Sequence, residues 1–164
     1  MEEYHKNEQY FFNQATLENL ESLTNEFENI CCLCAPSFGK HLIEKDRQCA
    51  TLDIDKRFET LEGFQYFDLS KAKWTDQQYD LIVCDPPFFN VSLRQLLQAI
   101  RVLSNYNPQQ KLLICYLERR SRTFLEVFKE FGLEQTELYA GYQSVQPIEK
   151  NKIVFFGNLS AKEE

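Results

Sequence analysis

The stretch Tyr79-Asp80-Leu81-Ile82-Val83-Cys84-Asp85-Pro86-Pro87-Phe88-Phe89-Asn90 constrains the chain more than any other. Its apolar run, bounded by turn formers, predicts a fully buried strand. The run stops at Asp-Pro-Pro-Phe. Two successive prolines remove two backbone donors and hold the chain extended, so it must leave the sheet there. A carboxylate, two rigid carbonyls and an aromatic ring are thereby set at the C-terminal end of a strand. In open α/β sheets, ligands bind at that end.

These four residues suit an amino group attached to a flat system. Asp85 and the Pro86 carbonyl can each accept an N–H bond, and the Pro86-Pro87 unit holds both acceptors with little freedom. Phe88 offers a face on which a planar group stacks. Two such acceptors orient the N–H bonds and aim the nitrogen lone pair at an electrophile. A lone Pro-Pro ends many strands without further role. Asp-Pro-Pro-aromatic directly after a buried strand is a narrower signature, and it points to chemistry at a nitrogen such as the exocyclic amine of adenine.

The rest of the chain supplies a sheet for that strand. Residues 1–8 read as a polar tail, and residues 9–29 as an N-terminal lid and helix segment. In the latter, the aromatic patch Gln9-Tyr10-Phe11-Phe12-Asn13-Gln14 precedes Leu17, Leu20, Leu23 and Phe27 at helical spacing. The patch either docks that helix on the core or covers a cofactor. Ile30 to Ala35 is the first strand, ended by Pro36-Ser37-Phe38-Gly39, and a short helix from about Lys40 to Asp46 leads to a second strand, Ala50 to Asp55. That is a compact βαβ unit, hence parallel pairing. Phe64 to Asp68 is the third strand, and Trp74 is expected to cover a sheet face before the fourth. Ser92 and Gln95 have capping-box spacing ahead of an amphipathic helix through Leu103. Lys111 to Leu117 is the fifth strand and Thr123 to Phe131 a helix stopped by Gly132. The last two strands, Leu133 to Gly141 and Lys152 to Gly157, have only a proline-containing loop between them and predict an antiparallel hairpin.

Five β/α units closed by such a hairpin is an α/β pattern: a Rossmann-like, seven-stranded methyltransferase sheet, mostly parallel, in one domain over residues 1–164. In it, the acids ending strands two and three face the crevice outside the first strand. Asp55 could hold two ribose hydroxyls and Asp68 an adenine amino group. Asp53 with Asp55 also forms a D-x-D, but nothing else resembles a metal-dependent sugar-nucleotide site.

Composition narrows the setting. At 43% hydrophobic and 14% aromatic residues the chain is globular, and no apolar run approaches the roughly 18–20 residues of a membrane span. The N-terminus lacks a secretory pattern, which predicts a cytoplasmic protein without membrane association. Of six cysteines, Cys31, Cys32, Cys34, Cys84 and Cys115 fall inside predicted strands and Cys49 begins one, as buried free thiols do. Cys31 and Cys34 form a C-x-x-C without a second pair, so no metal site is expected. His41 reads as a surface residue. Net charge is −7, but residues 1–30 hold seven Glu and one Lys, leaving −1 for residues 31–164. Small basic clusters at Lys56-Arg57, Arg119-Arg120 with Arg122, and Lys150 with Lys152 leave a phosphate-binding edge open.

The chain resembles the probable N6-adenine methyltransferase family, small S-adenosylmethionine-dependent domains whose fourth strand ends in Asp-Pro-Pro-Phe or Asp-Pro-Pro-Tyr. The likeness runs from about Gln9 to Asn158. It rests on Gln9-Tyr10-Phe11-Phe12 with Thr16, Ala35-Pro36-Ser37, Asp53-Ile54-Asp55-Lys56-Arg57-Phe58, and Asp85-Pro86-Pro87-Phe88. The zinc-knuckle ribosomal RNA adenine methyltransferase is similar at Leu52 to Asp55 and at the tetrad, without its zinc modules here. The resemblance implies that S-adenosylmethionine is held by Phe12, Asn13, the turn of Ala35, Pro36, Ser37 and Gly39, and by Asp55 and Asp68. It implies that Asp85, Pro86, Pro87 and Phe88 hold the target nitrogen. The favoured substrate is adenine N6, in RNA before DNA. A protein lysine is the alternative, since relatives with this tetrad methylate a translation elongation factor. The superfamily's G-x-G-x-G turn is missing, with Gly39 alone in Ala-Pro-Ser-Phe-Gly, so a degenerate binding module is a third reading. Nothing in the chain indicates an oligomeric state.

Overall fold

The computed structural model describes residues 1–144 and 152–159. Seven strands form one sheet: β1 (Ile30–Leu33), β2 (Cys49–Asp53), β3 (Phe64–Tyr66), β4 (Leu81–Cys84), β5 (Leu112–Leu117), β6 (Glu134–Tyr139) and β7 (Ile153–Gly157). Their order is β3-β2-β1-β4-β5-β7-β6. The first five pair in parallel, and β7 runs antiparallel to both β5 and β6. The mostly parallel sheet with an antiparallel C-terminal hairpin is therefore present. The proline-containing loop expected within that hairpin, and Lys150, lie outside the described residues.

The central strands are apolar because both faces are covered. β1, β4 and β5 are buried along their whole length, which is what strands between two layers of helix require. The helices are α1 (Gln14–Leu23), α2 (Pro36–Glu44), α3 (Leu93–Leu103) and α4 (Ser121–Val127). α3 opens with the expected capping box, Ser92 with Gln95. Among the described residues, no helix is long and apolar enough to cross a membrane.

Several local expectations are corrected. α2 begins at Pro36 rather than Lys40, because proline has no N–H to lose in a first helical turn. The chain from Ala35 to Gly39 is thus a helix start, not a loop. β1 ends at Leu33, and Cys34 turns out of the strand with a φ of 57°. The two connections flanking β3 hold 3-10 turns (Lys56–Phe58 and Leu69–Lys71) rather than α-helices. Trp74 is 42% exposed and lies outside the core cluster. His41 is buried, because Nε2 finds Glu21 Oε1 at 2.8 Å.

Residues 1–8 are not a loose tail. Glu3 accepts the backbone N–H of Phe11 at 2.6 Å and the hydroxyl of Ser144 at 2.6 Å, and a 3-10 turn covers His5–Asn7. Acidic side chains that find unpaired N–H groups tie this segment down as a strap across the C-terminal ends of the strands.

Candidate active site

Asp85 leaves β4 with its backbone N–H donated to Leu33 O at 3.1 Å, which keeps it beside the end of β1. Its Oδ1 accepts from Cys115 Sγ at 3.0 Å and from the Tyr142 hydroxyl at 2.9 Å. Burial pushes the carboxyl up to about 7; the Cys115 and Tyr142 hydrogen bonds hold it lower than burial alone would, and nearby Asp53 adds to the rise. Near neutral pH this group both gives and takes a proton.

Two cavities meet at Asp85. The first, about 220 Å³, is the crevice outside β1, β2 and β4, lined by Cys34, Pro36, Asp53, Ile54, Asp68 and Pro87 among others. The second, about 560 Å³, is walled by Pro86, Phe88, Phe89, Tyr139 and Tyr142. Asp85, Glu8 and Tyr10 belong to both linings. The proline pair divides the tetrad between them: Pro87 faces the crevice, while Pro86 and Phe88 face the aromatic cavity. Phe88 stands edge-on to Tyr116 with centroids 5.5 Å apart, a geometry that fixes its ring against the core.

The crevice acids differ from expectation. β2 ends at Asp53, and Asp53 Oδ1 accepts the N–H of Asp55 at 2.8 Å, a local turn that sends the next carboxylate elsewhere. Asp55 caps the 3-10 turn at Lys56 and takes Arg57 Nη2 at 2.8 Å and Gln9 Nε2 at 2.7 Å. Burial would raise its pKa, but the bonds from Arg57 and Gln9 outweigh this and hold the carboxyl below its ordinary value. Asp55 is therefore committed to an ion pair and is not among the crevice residues. Asp53 is, and burial together with the charge of Asp55 pushes it up to about 6. Asp68 does line the crevice and caps the next turn, accepting Ser70 N at 3.0 Å and Ser70 Oγ at 2.8 Å.

The remaining expected cofactor residues divide as follows. Pro36 lines the crevice. Ala35 is buried, with its carbonyl accepting Phe38 N and Gly39 N at 3.1 Å each. Ser37 Oγ accepts Phe12 N at 3.3 Å. Phe12 is fully buried, stacked on Tyr142 at 5.5 Å and packed on Phe155 at 6.0 Å, so it anchors the strap to the core rather than touching the crevice. Asn13 caps α1 and lines the aromatic cavity instead. Gly39 has a packing role: a Cβ there would lie 2.0 Å from Thr51 Oγ1.

Tyr10 belongs to the aromatic patch singled out as a cover, but the sequence did not mark Glu8, Cys34, Cys115 or Tyr142 as site residues. Tyr142 is aimed by the docking of the aromatic patch. Asn13 N–H donates to Gly141 O at 2.8 Å, Gln143 N–H donates to Phe11 O at 2.9 Å, and Phe12 bridges Tyr142. An aromatic next to a glycine beyond the sixth strand was the only available signal.

Residues 3–158 match the model of a family described as probable N6-adenine methyltransferase. A protein-lysine N-methyltransferase of Drosophila melanogaster is 31% identical over 96 residues, covering 53% of this chain and 43% of that protein. The match thus spans less than half of that relative's length. Among solved structures, a TehB-like S-adenosylmethionine-dependent methyltransferase from Corynebacterium glutamicum superposes with a TM-score of 0.57 at 17% identity, covering 87% of this chain and 85% of that one. Magnesium protoporphyrin IX methyltransferase from Synechocystis, solved with bound S-adenosylmethionine, gives 0.59 at 13% identity, covering 88% and 78%. At these identities the structures share the fold.

Proposed function

We propose that this chain, which belongs to the probable N6-adenine methyltransferase family, is an S-adenosylmethionine-dependent N-methyltransferase whose target is a protein lysine. The observation that carries the reading is the lining of the aromatic cavity: Asp85 and Glu8 together with the rings of Tyr10, Phe88, Phe89, Tyr139 and Tyr142. Carboxylates interleaved with aromatic faces suit an alkylammonium, which rings attract through their quadrupoles. The lysine alternative weighed on the sequence is favoured here over adenine, and the curated relative is named for that activity.

The crevice fits the methyl donor by its chemistry. Asp53 offers carboxylate oxygens to ribose hydroxyls, replacing Asp55 in that role. Ile54, Phe67 and Leu69 offer apolar walls to a purine, and Asp68 offers an acceptor to its amino group. The strap residues Asn7 to Tyr10 roof the site. When bound, S-adenosylmethionine supplies an electrophilic methyl group on a sulfonium.

The chain's own residues act on the amine. A lysine enters as an ammonium and must lose a proton before its nitrogen has a lone pair to share. Asp85 offers Oδ2 to that ammonium while Oδ1 stays fixed on Cys115 and Tyr142. With its carboxyl pushed up to about 7, Asp85 can hold the departing proton. The Pro86 carbonyl is the second acceptor, and the aromatic walls keep water away from the nitrogen. Positioning supplies most of the rate gain.

The family's description favours the second reading, in which adenine N6 stacks on Phe88. Labelled methyl from the cofactor, transferred into a cell extract and followed by separate protease and nuclease digestion, decides between them. Label lost to protease is the expected result. Label lost to nuclease alone establishes the adenine reading, and absence of cofactor binding in calorimetry would leave a binding module.

A further inference from the structure

We propose that Glu8 is the second carboxylate of the target-amine pocket and makes that pocket select a cationic amine over a neutral group. The inference deepens the lysine reading and rests on it. Glu8 belongs to the strap and sits with a φ of 54°, a left-handed conformation that residues with a Cβ adopt at a cost unless something holds them there. What holds it is the loop after the tetrad. The Phe89 N–H donates to Oε1 at 2.9 Å and to Oε2 at 3.1 Å, and the Asn90 N–H also donates to Oε1. Asn90 Nδ2 adds a bond to Lys6 O at 3.3 Å. The carboxylate of an apparently featureless tail is thus held in place at the wall common to both cavities.

The charged groups of the aromatic cavity make this position decisive. Its lining holds Glu8, Asp85 and Lys152. Lys152 Nζ stands over the Tyr139 ring, 5.2 Å being the comparable reach of Lys56 over Tyr66 and 5.4 Å that of Lys152 itself. Burial pushes the Asp85 carboxyl up to about 7, toward its neutral form. Where Asp85 is protonated, Glu8 is the carboxylate that the described lining still offers to a cation. Without it, an entering ammonium would meet Asp85 as the one carboxylate of the described lining. The faces of Tyr10, Phe88, Phe89 and Tyr142 favour a cation in either case, so Glu8 sets the margin of selectivity.

A latch without charge selectivity is the competing role, and Glu8→Gln separates the two. The glutamine carbonyl still accepts from Phe89 and Asn90, while the charge is gone. The full chain, labelled with ¹⁵N, is titrated with n-butylammonium and with its neutral counterpart n-butanol. In the native protein, butylammonium is expected to move the amide signals of Phe89, Asn90 and Tyr142. E8Q should weaken that binding about tenfold, Glu8→Ala should weaken it as much, and butanol should respond to neither change. Butylammonium binding E8Q as tightly as the native chain would overturn the proposal, and so would a native chain that prefers butanol. A loss confined to Glu8→Ala would also overturn it, because it assigns Glu8 to the latch alone. The lysine reading fails separately: methyl label in nucleic acid sinks that reading even if charge-dependent binding is found. Label in protein with no charge dependence sinks only the role of Glu8.

Discussion

The phenol of Tyr142 reaches back to a residue 57 positions earlier, donating to Asp85 Oδ1 at 2.9 Å. That bond joins the stretch after β6 to the end of β4 and fixes one oxygen of the carboxylate at the junction of the two cavities. Removing it with Tyr142→Phe should raise the Asp85 pKa, because the hydrogen bond is among the causes that lower it. The acid limb of the kcat/KM profile, near pH 7 in the native chain, should move to higher pH. Turnover at neutral pH should fall about tenfold, within the range of one positioning hydrogen bond to a charged group. An unshifted profile would remove Tyr142 from the site.

Asp85→Asn separates chemistry from folding. Turnover should drop by about 10² or more, since the amide cannot take a proton. Stability should change in the opposite direction. The folded pKa of about 7 lies above the unfolded value of roughly 3.9, so the native state binds the extra proton. Its stabilisation is present below about pH 4 and is lost as pH rises through 7. Thermal melts should therefore show D85N more stable than the native chain by about 1–2 kcal/mol at pH 8, a figure reduced for the partial exposure of the residue. The difference should vanish near pH 4.

The acids of the crevice can be ranked by calorimetric titration with S-adenosylmethionine. Asp53→Asn should weaken binding at least about tenfold, as expected for a lost charge-assisted hydrogen bond. Asp55→Asn should weaken it by less than about threefold, because Asp55 faces Arg57 and Gln9. The reverse ranking would return the ribose contact to Asp55.

Gly39→Ala tests a packing role against a cofactor role. The new Cβ would meet Thr51 Oγ1 at 2.0 Å and Thr51 Cγ2 at 3.3 Å. Urea unfolding should show a loss of about 1–3 kcal/mol from overpacking. Adding Thr51→Ala, which removes both atoms, should restore most of it. Cofactor affinity of the folded double variant should match the native chain.

The architecture was legible because its signals are local. Leu81 to Cys84 and Leu112 to Leu117 are continuous apolar runs, since strands covered on both faces need no polar side, and Pro86-Pro87 ends the run wherever the strand lies. The tetrad's position at a strand's C-terminal end followed directly. The α2 start was misplaced because Pro36 reads as a breaker unless it is known to occupy a first helical turn.

Other features depended on partners distant in the chain. Whether Asp53 or Asp55 faces the crevice turns on Arg57 and on Gln9, 46 residues before Asp55. His41 is buried because Glu21 is there to meet it, and Phe12 belongs to the core because Tyr142 and Phe155 stack around it. The sequence by itself determined the sheet, its closing hairpin and the place of Asp85 to Phe88, because burial periodicity and proline geometry act over a few residues. Only the tertiary structure decided which carboxylates line the cavities, and that Glu8 and Tyr142 join Asp85. A polar side chain's direction is set by whichever donor it can reach, and the donors to Asp85 and Glu8 lie 30 to 82 residues away.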